Sequence, residues 1–369
     1  MDRREFLKHS ALVTAASASS SLRPSRAWAS FAPKRILVLG GTLFLGPALV
    51  DALVADGHTV TLFNRGMTNP ELFPRLERLR GFRSSDVNDQ DLSALSHRRF
   101  DVIVDVWPND PDVVQSAAEF LKQRAQHYLF VSSVAAYDGK EFAKSDIGED
   151  APMESWNGSG RPYNRNKAES ERRLHQIIGE RLTIVRPGPI KGRRDDTPDL
   201  LTWLLRAQEG GEHIAPGDGH DPVELVDVKD VARFLAMAIE RSLYGTFNLT
   251  GKSISFREFL DACKSATDSD ATFVWIPHQF LHEHGLEPDV VLHTFADNFP
   301  LWRPDPSNQG LYRVSSEKAF KAGWRTRAFE ETAFDCLNDF YSGPVMDRPN
   351  FLSATKEKEV LSAWAHRGS

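Results

Sequence analysis

Cysteine is scarce in this chain, which has only Cys263 and Cys336 among its 369 residues. Both fall in helix-like segments, and two buried thiols are the plainest interpretation. Basic charge is not in excess either, since the formal net charge is −6. A net acidic body argues against nonspecific binding to nucleic acid. The chain also lacks internal repeats, and no segment beyond its N-terminus is of low complexity. What remains is the composition of an ordinary folded domain, with 41% hydrophobic and 26% charged residues.

The N-terminus has the features of an export signal. Arg3 and Arg4 precede a hydrophobic pair, and a weakly apolar stretch rich in serine and alanine follows. This stretch is too short and too polar to span a membrane. Ala27-Trp28-Ala29 is a small-x-small cleavage candidate. We therefore expect residues 1–29 to be a twin-arginine signal peptide, the twin-arginine translocase to be a partner, and the mature protein to be periplasmic or extracellular.

The segment that follows predicts a nucleotide-binding fold. A short apolar strand at residues 36–39 runs into a glycine-rich turn at residues 40–46, and a helical stretch begins at Pro47. Strand, glycine turn and helix in this order are the context of a dinucleotide fingerprint. Glycine lets the backbone approach a pyrophosphate, and the helix N-terminus offers free N–H groups. A phosphate-binding α/β domain without nicotinamide chemistry is the alternative.

A second pattern indicates catalysis. Tyr163 and Lys167 have the spacing that places two side chains on one face of a helix. The Lys167 ammonium is expected to lower the pKa of Tyr163, whose ordinary pKa of about 10 is high for a base at neutral pH. Ser133, after an apolar run, would supply a hydroxyl that orients an alcohol or carbonyl oxygen. An exposed helix face is the alternative for the Tyr-x-x-x-Lys pair alone.

Taken together, these motifs resemble the extended short-chain dehydrogenase/reductase superfamily, in its NAD-dependent epimerase/dehydratase branch, from about Lys34 to Arg325. The resemblance implies that Ser133, Tyr163 and Lys167 are catalytic, with Tyr163 as acid/base, and that Lys167 also bonds the nicotinamide ribose. It further implies a set of cofactor contacts: Gly40, Gly41, Thr42, Leu43, Phe44, Leu45, Gly46, Asn64, Arg65, Asp86, Val87, Val106, Lys167 and Pro187. No metal site is expected.

One position departs from the family pattern. Leu43 stands in the middle of the turn, where family members usually carry glycine. It also replaces the arginine of the subgroup whose turn reads glycine-glycine-threonine-arginine-phenylalanine. A side chain here must point away from the pyrophosphate or crowd it. Some relatives of that subgroup bind RNA, so a redox-inactive binding protein on a Rossmann scaffold is an alternative hypothesis.

Short strand-like runs, among them residues 81–84, alternate with helix-like stretches, among them residues 166–178. This alternation predicts an α/β fold with a doubly wound, Rossmann-type parallel sheet and a smaller C-terminal substrate lobe. We expect the dinucleotide-binding domain at residues 34–190 and the substrate lobe mainly at residues 191–345, with strands returning to the Rossmann sheet. A C-terminal helix is expected within residues 346–369. It could dock on its own body or on a second subunit, which leaves a homodimer open.

The expected function is NAD(P)-dependent epimerisation or oxidoreduction at a carbinol of a sugar, glycoside or related polyol. Dehydratases of the superfamily carry an acidic pair after the serine, and this chain has Val134 and Ala135 there. Arg65 favours NADP, whereas Asn64 is compatible with a free ribose hydroxyl, so NAD and NADP both remain open. Free nicotinamide nucleotides and nucleotide-sugars are both cytoplasmic compounds. Export therefore favours a tightly bound cofactor, and it favours a free sugar over a nucleotide-sugar as the substrate. A cytoplasmic NADP-dependent reductase is a further alternative.

Overall fold

A seven-stranded parallel sheet forms the centre of the molecule. The computed structural model describes residues 32–86, 89–106, 110–158, 160–288, 298–343, 349 and 352–367. The sheet strands are β1 (Arg35–Leu39), β2 (Thr59–Asn64), β3 (Glu77–Arg80), β4 (Val102–Asp105), β5 (His127–Val131), β6 (Leu182–Pro187) and β11 (Gly245–Leu249). Their spatial order is β11-β6-β5-β4-β1-β2-β3, and every pair is parallel. This is the doubly wound order with a switch point between β1 and β4, and it confirms the predicted fold class.

Helices cover both faces of this sheet. One face packs against α1 (Leu45–Ala55) and α5 (Val228–Arg241), and the other against α2 (Pro111–Leu121) and α3 (Pro162–Ile178). The central strands are therefore buried on both sides, which is why β4, β5 and β6 contain no exposed position. The two apolar layers hold the C-terminal strand ends rigidly in place, and the glycine turn follows one of these ends.

A second lobe has its own hydrophobic core. Its helices are α4 (Asp199–Glu209), α6 (Phe256–Thr267), α7 (His278–Glu283), α8 (Glu317–Lys321), α9 (Phe329–Ser342) and α10 (Ala354–Ala365), although α8 packs against the sheet strand β11. Its short strands are β7 (Ile190–Lys191), β8 (Glu212–Pro216), β9 (Pro222–Val223), β10 (Val226–Asp227), β12 (Ile254–Ser255), β13 (Thr272–Ile276), β14 (Glu287–Pro288) and β15 (Asn298–Phe299). They form the pairs β7–β10, β9–β12, β8–β13 and β14–β15. Trp203 is fully buried at the centre of this lobe and meets Phe256 edge to face at 5.4 Å.

The C-terminal helix α10 docks on its own chain. Glu357, buried at this contact, accepts hydrogen bonds from Arg206 of α4 and from the amide of Ile214 in β8, the latter at 2.7 Å. Trp364 packs edge to face on Phe280 at 4.9 Å. Of the two docking modes that the sequence leaves open, the structure has the intramolecular one.

Two element boundaries differ from expectation. A strand is predicted at residues 81–84, but β3 ends at Arg80, and Phe82 makes only an isolated bridge to Asp91. A helix is predicted to begin near Asn166, but α3 begins at Pro162, where the missing N–H and fixed φ of proline suit the first helical position. The earlier start places Tyr163 in the first turn of α3.

The signal peptide expected at residues 1–29 lies outside the described residues. No helix in the described part of the chain is long and apolar enough to cross a membrane.

Candidate active site

The first turns of α3 carry the proposed catalytic pair. Tyr163 is partly buried, and Lys167, one turn later, is only 3% exposed. The Lys167 ammonium donates a 2.7 Å hydrogen bond to the carbonyl of Val131 at the end of β5. It lies 5.9 Å from the centroid of the Tyr163 ring. A helix face packed on a strand end therefore fixes the lysine against the predicted acid/base.

The two serines after β5 have different partners. Ser132 is buried and donates to the Glu171 carboxylate, which also pairs with Arg186 at 2.6 Å. Ser133 begins a short 3₁₀ turn, where its hydroxyl accepts from the Ala135 amide at 3.1 Å. The Ser133 hydroxyl also lies close enough to Tyr163 to lower its pKa. The structure thus brings Ser133, Tyr163 and Lys167 together and assigns Ser132 to an interior network.

The pKa values of the pair differ from the sequence-based expectation. Burial raises the pKa of Tyr163, and the hydrogen bond from Ser133 only partly opposes this. Burial also lowers the pKa of Lys167 to about 8, against the fields of Asp105 and Glu171. The expected lowering of the Tyr163 pKa by Lys167 is therefore not seen, because desolvation dominates at both groups.

The glycine turn between β1 and α1 fits a dinucleotide pyrophosphate. Gly40 and Gly41 have φ of 109° and 91°, which side chains rarely adopt. A Cβ at Gly46 would lie 2.6 Å from the Gly41 carbonyl carbon, so the helix packs directly on the turn. No side chain caps the N-terminus of α1, and Leu43 is 54% exposed at the cavity rim instead of filling the turn. These features leave backbone N–H groups of the turn and helix for an anion.

Asn64, at the tip of β2, already serves the fold. Its amide donates to the Gly40 carbonyl at 3.0 Å and its oxygen accepts from the Gly66 amide at 2.9 Å. Arg65 is exposed and lines the same cavity. The side chain of Asn64 thus holds the glycine turn in place, and Arg65 is the polar group directed to a ligand at this tip.

The remaining predicted cofactor contacts have different outcomes. Val106 and Pro187 line the cavity. Val106 packs closely on the glycine turn, because a Cβ at Gly40 would lie 2.9 Å from its side chain. Asp86 is exposed and does not line the cavity. Because β3 ends at Arg80, residues 81–83 form this part of the cavity wall instead. Val87 lies outside the described residues.

Sequence reasoning missed two buried groups beside the site. Asp105, at the end of β4, pairs with Arg83 at 2.9 Å and accepts from the Tyr128 hydroxyl at 2.8 Å. Glu224 lies beneath Gly188, where a Cβ would collide with its carboxylate, and it accepts from the Gly251 amide. An acidic residue ending an apolar strand was the available signal for Asp105. Nothing local marks Glu224, because only the fold brings it beneath the loop after β6.

One continuous cavity of about 1530 Å³ joins these parts. Its wall includes the glycine turn, Arg65, Ser133, Tyr163, Lys167 and the loop after β6, and continues along β7, the loop before α4 and residues 301–312. Pockets for one small molecule are usually about 300–1000 Å³. This cavity therefore has room for a dinucleotide together with a second, smaller molecule. Among the described residues, no group of three His, Cys, Asp or Glu side chains is placed to hold a metal ion.

The fold and this site define a class of protein, the Rossmann-type dinucleotide-binding α/β proteins. More particularly, the chain belongs to the NAD-dependent epimerase/dehydratase family, whose model matches residues 36–249. The family is NAD-dependent, which agrees with the nicotinamide cofactor expected from the glycine turn.

The proteins that are similar to this chain differ in what they are named for or were solved with. The "Chloroplast stem-loop binding protein of 41 kDa b" of Arabidopsis thaliana is 31% identical over 253 residues, which is 63% of this chain and 63% of its own length. A UDP-glucose 4-epimerase of Thermotoga maritima, solved with UDP-glucose, has a TM-score of 0.61 at 19% identity, covering 84% of this chain and 99% of its own. The Bordetella bronchiseptica enzyme WbmG, solved with NAD, has a TM-score of 0.61 at 18% identity, covering 90% and 100%. At such identities the solved structures show the fold alone.

Proposed function

We propose that the protein is an NAD(P)-dependent epimerase or oxidoreductase that acts on a carbinol of a sugar, glycoside or related polyol. The observation that carries the proposal is the meeting of Ser133, Tyr163 and Lys167 in the cavity that the glycine turn also lines. A scaffold that only binds a ligand has no need of a buried lysine one turn after a tyrosine that lies beside a serine hydroxyl.

In this proposal Ser133 orients the substrate oxygen and Tyr163 takes or returns its proton. The bound nicotinamide supplies hydride acceptance and donation. Lys167 favours the phenolate of Tyr163 when substrate enters and displaces water, and it is also placed to hold the cofactor ribose. Val134 and Ala135 follow Ser133 and have no titratable group, which favours epimerisation or simple oxidation over dehydration.

Tyr163→Phe is the direct test of this role. The change removes one oxygen, so NAD binding should persist while turnover falls at least about 100-fold, the usual contribution of general acid–base catalysis. The measurement is NADH formation and the appearance of epimers with a panel of unphosphorylated sugars and polyols, alongside the NAD content of the purified protein and its binding of added NAD. Tyr244→Phe, at an exposed tyrosine, is the matched control. Equal turnover in the two variants would remove Tyr163 from the chemistry.

A binding protein is the second candidate, and one observation favours it. The relative that is 31% identical is named for binding a stem-loop. Against this candidate stand the formal charge of −6 and the assembled Ser133, Tyr163 and Lys167. Gel-shift titration with a stem-loop RNA separates the two candidates. An enzyme of this charge should bind the RNA only weakly, with an affinity that rises only as the salt concentration is lowered.

We further propose that the twin-arginine signal exports the folded protein to the periplasm or beyond. Arg3 and Arg4, the apolar stretch and the small-x-small sequence near residue 29 support this. Changing both Arg3 and Arg4 to lysine should abolish export while leaving cytoplasmic folding intact. Cell fractionation with immunoblotting measures it, and unchanged secretion of the double variant would contradict the proposal.

A further inference from the structure

The substrate end of the cavity contains a buried ionic cluster that the catalytic proposal does not use. Lys191, at the end of β7, donates to Thr197 at 2.6 Å and to Asp199 at 2.7 Å. The Asp195 carboxylate lies 3.4 Å from the same ammonium and accepts from the Thr197 hydroxyl at 2.7 Å. The side chains of Lys191, Asp195 and Asp199 are at most 8% exposed, and all three residues line the cavity.

With both carboxylates ionised, this cluster carries one more negative charge than positive. Burial raises the pKa of Asp195, and the Lys191 ammonium opposes that rise. Burial alone would lower the pKa of Lys191, but Asp195 and Asp199 raise it overall, so the ammonium stays charged. Glu154, which is 6% exposed, adds another carboxylate to the wall. Lys167 adds a second buried ammonium to the wall, so the excess of negative charge is local to Lys191, where two carboxylates surround one ammonium. The exposed Asp196, Asp305 and Arg161 and the half-buried Arg303 also line the cavity, and their charges balance.

Such a wall suits some ligands and repels others. A nucleoside diphosphate carries about two negative charges that need cationic partners, and buried carboxylates repel them strongly in a low dielectric. Hydroxyl groups suit the same carboxylates well, because charged acceptors make the stronger hydrogen bonds. The structural neighbour solved with UDP-glucose shares the fold with this chain, and its 19% identity carries no substrate assignment.

We propose that Lys191, Asp195 and Asp199 form a specificity subsite for an uncharged polyhydroxylated substrate and exclude nucleoside-diphosphate sugars. This rests on the proposed function and deepens it. The carboxylates of Asp195 and Asp199 accept from substrate hydroxyls, and Lys191 fixes both carboxylates in place. The loop at residues 192–198, between β7 and α4, therefore selects the substrate, while α3 and the end of β5 carry the chemistry.

The test is calorimetric titration of UDP into the full-length protein in the presence of NAD. Asp195→Asn removes one charge and keeps the direct Lys191–Asp199 bond, so the variant should still fold. It should bind UDP at least about tenfold more tightly than the wild type, because one repelling charge near the ligand is gone. The double change Asp195→Asn with Asp199→Asn should strengthen UDP binding further. Asp261→Asn, at an exposed position on α6, is the matched control and should bind UDP like the wild type.

Wild-type protein that binds UDP as tightly as Asp195→Asn, or that turns over UDP-glucose, would overturn the subsite. Failure of the underlying function has a separate signature, because the wild type would then neither carry nor bind NAD, or would turn over no unphosphorylated sugar in the panel on which Tyr163→Phe is compared. The UDP comparison among the variants would then still report the charge of the subsite.

Discussion

At the scale of single residues, burial controls the chemistry around the cavity more than neighbouring charge does. Tyr163 and Lys167 each shift toward their neutral forms in the structure, the tyrosine upward in pKa and the lysine downward. Burial therefore disfavours the charged form of each group relative to water, although a pKa of about 8 still leaves the Lys167 ammonium mostly charged at pH 7.

Glu224 is the clearest case of such control. It is 1% exposed, one oxygen accepts from the Gly251 amide, and the other has no hydrogen-bond partner among the described residues. Burial raises its pKa to about 8, although the Gly251 hydrogen bond opposes this. We infer that the side chain is largely neutral at physiological pH and that its protonation supports the loop containing Gly188.

A pH-dependent stability follows from this raised pKa. The contribution of protonated Glu224 is complete below the ordinary glutamate pKa and is lost as pH rises through about 8. Glu224→Gln keeps the neutral shape, so it should be more stable than the wild type at pH 9 by about 2 kcal/mol or more. Urea unfolding at pH 5, 7 and 9 measures this. Glu212→Gln, at an exposed position, is the control, and an identical pH slope in all three proteins would contradict the assignment.

At the scale of elements, the start of α3 and the docking of α10 decide what each helix does. Pro162 begins α3 early enough to bring Tyr163 onto the helix. Helix α10 is held by one buried carboxylate that bonds two other elements of the second lobe. Burial alone would raise the pKa of Glu357, but the His213 ring at 3.6 Å and the hydrogen bonds from Arg206 and the Ile214 amide lower it to about 2.

Loss of the Glu357 charge should release the C-terminal helix. The stabilising charge is present above the ordinary glutamate pKa and is lost as pH falls through about 2. Glu357→Gln mimics that loss at neutral pH and leaves Arg206 with a weaker partner, at a cost of about 3 kcal/mol. Hydrogen exchange should then speed up across residues 354–365 and stay slow in the central sheet. Glu359→Gln, on the exposed side of the same helix, should leave exchange unchanged, and equal exchange in both variants would count against the docking role.

At the scale of the whole molecule, the cavity between sheet and second lobe suits a retained cofactor. Its volume of about 1530 Å³ exceeds what a sugar alone fills, and its wall includes both lobes. A protein exported in the folded state would carry its cofactor along and would have to regenerate it in place. An epimerase meets that requirement, because the hydride it removes returns to the same substrate.

Stoichiometric release of a nicotinamide nucleotide on denaturation is the corresponding expectation. The freshly purified protein is denatured, and the supernatant is identified and quantified by mass spectrometry. NAD at about one equivalent would support a retained cofactor, which by binding the folded state would also stabilise it. NADP would instead assign Arg65 to a 2′-phosphate. A protein that carries neither and binds neither when they are added would make Leu43 a disabling change.

Local sequence pattern determined the doubly wound sheet, the glycine turn and the helical spacing of Tyr163 and Lys167. These follow from short-range physics, namely apolar periodicity, glycine conformations and spacing along one helix face. Only the tertiary structure decided the rest: that α10 docks on its own chain, that Asn64 holds the turn, that Asp86 lies off the cavity, and that Glu224 and the Lys191 cluster meet the site. Each of these depends on contacts between residues far apart in sequence, and burial, which sets their pKa values, exists only once the chain has folded.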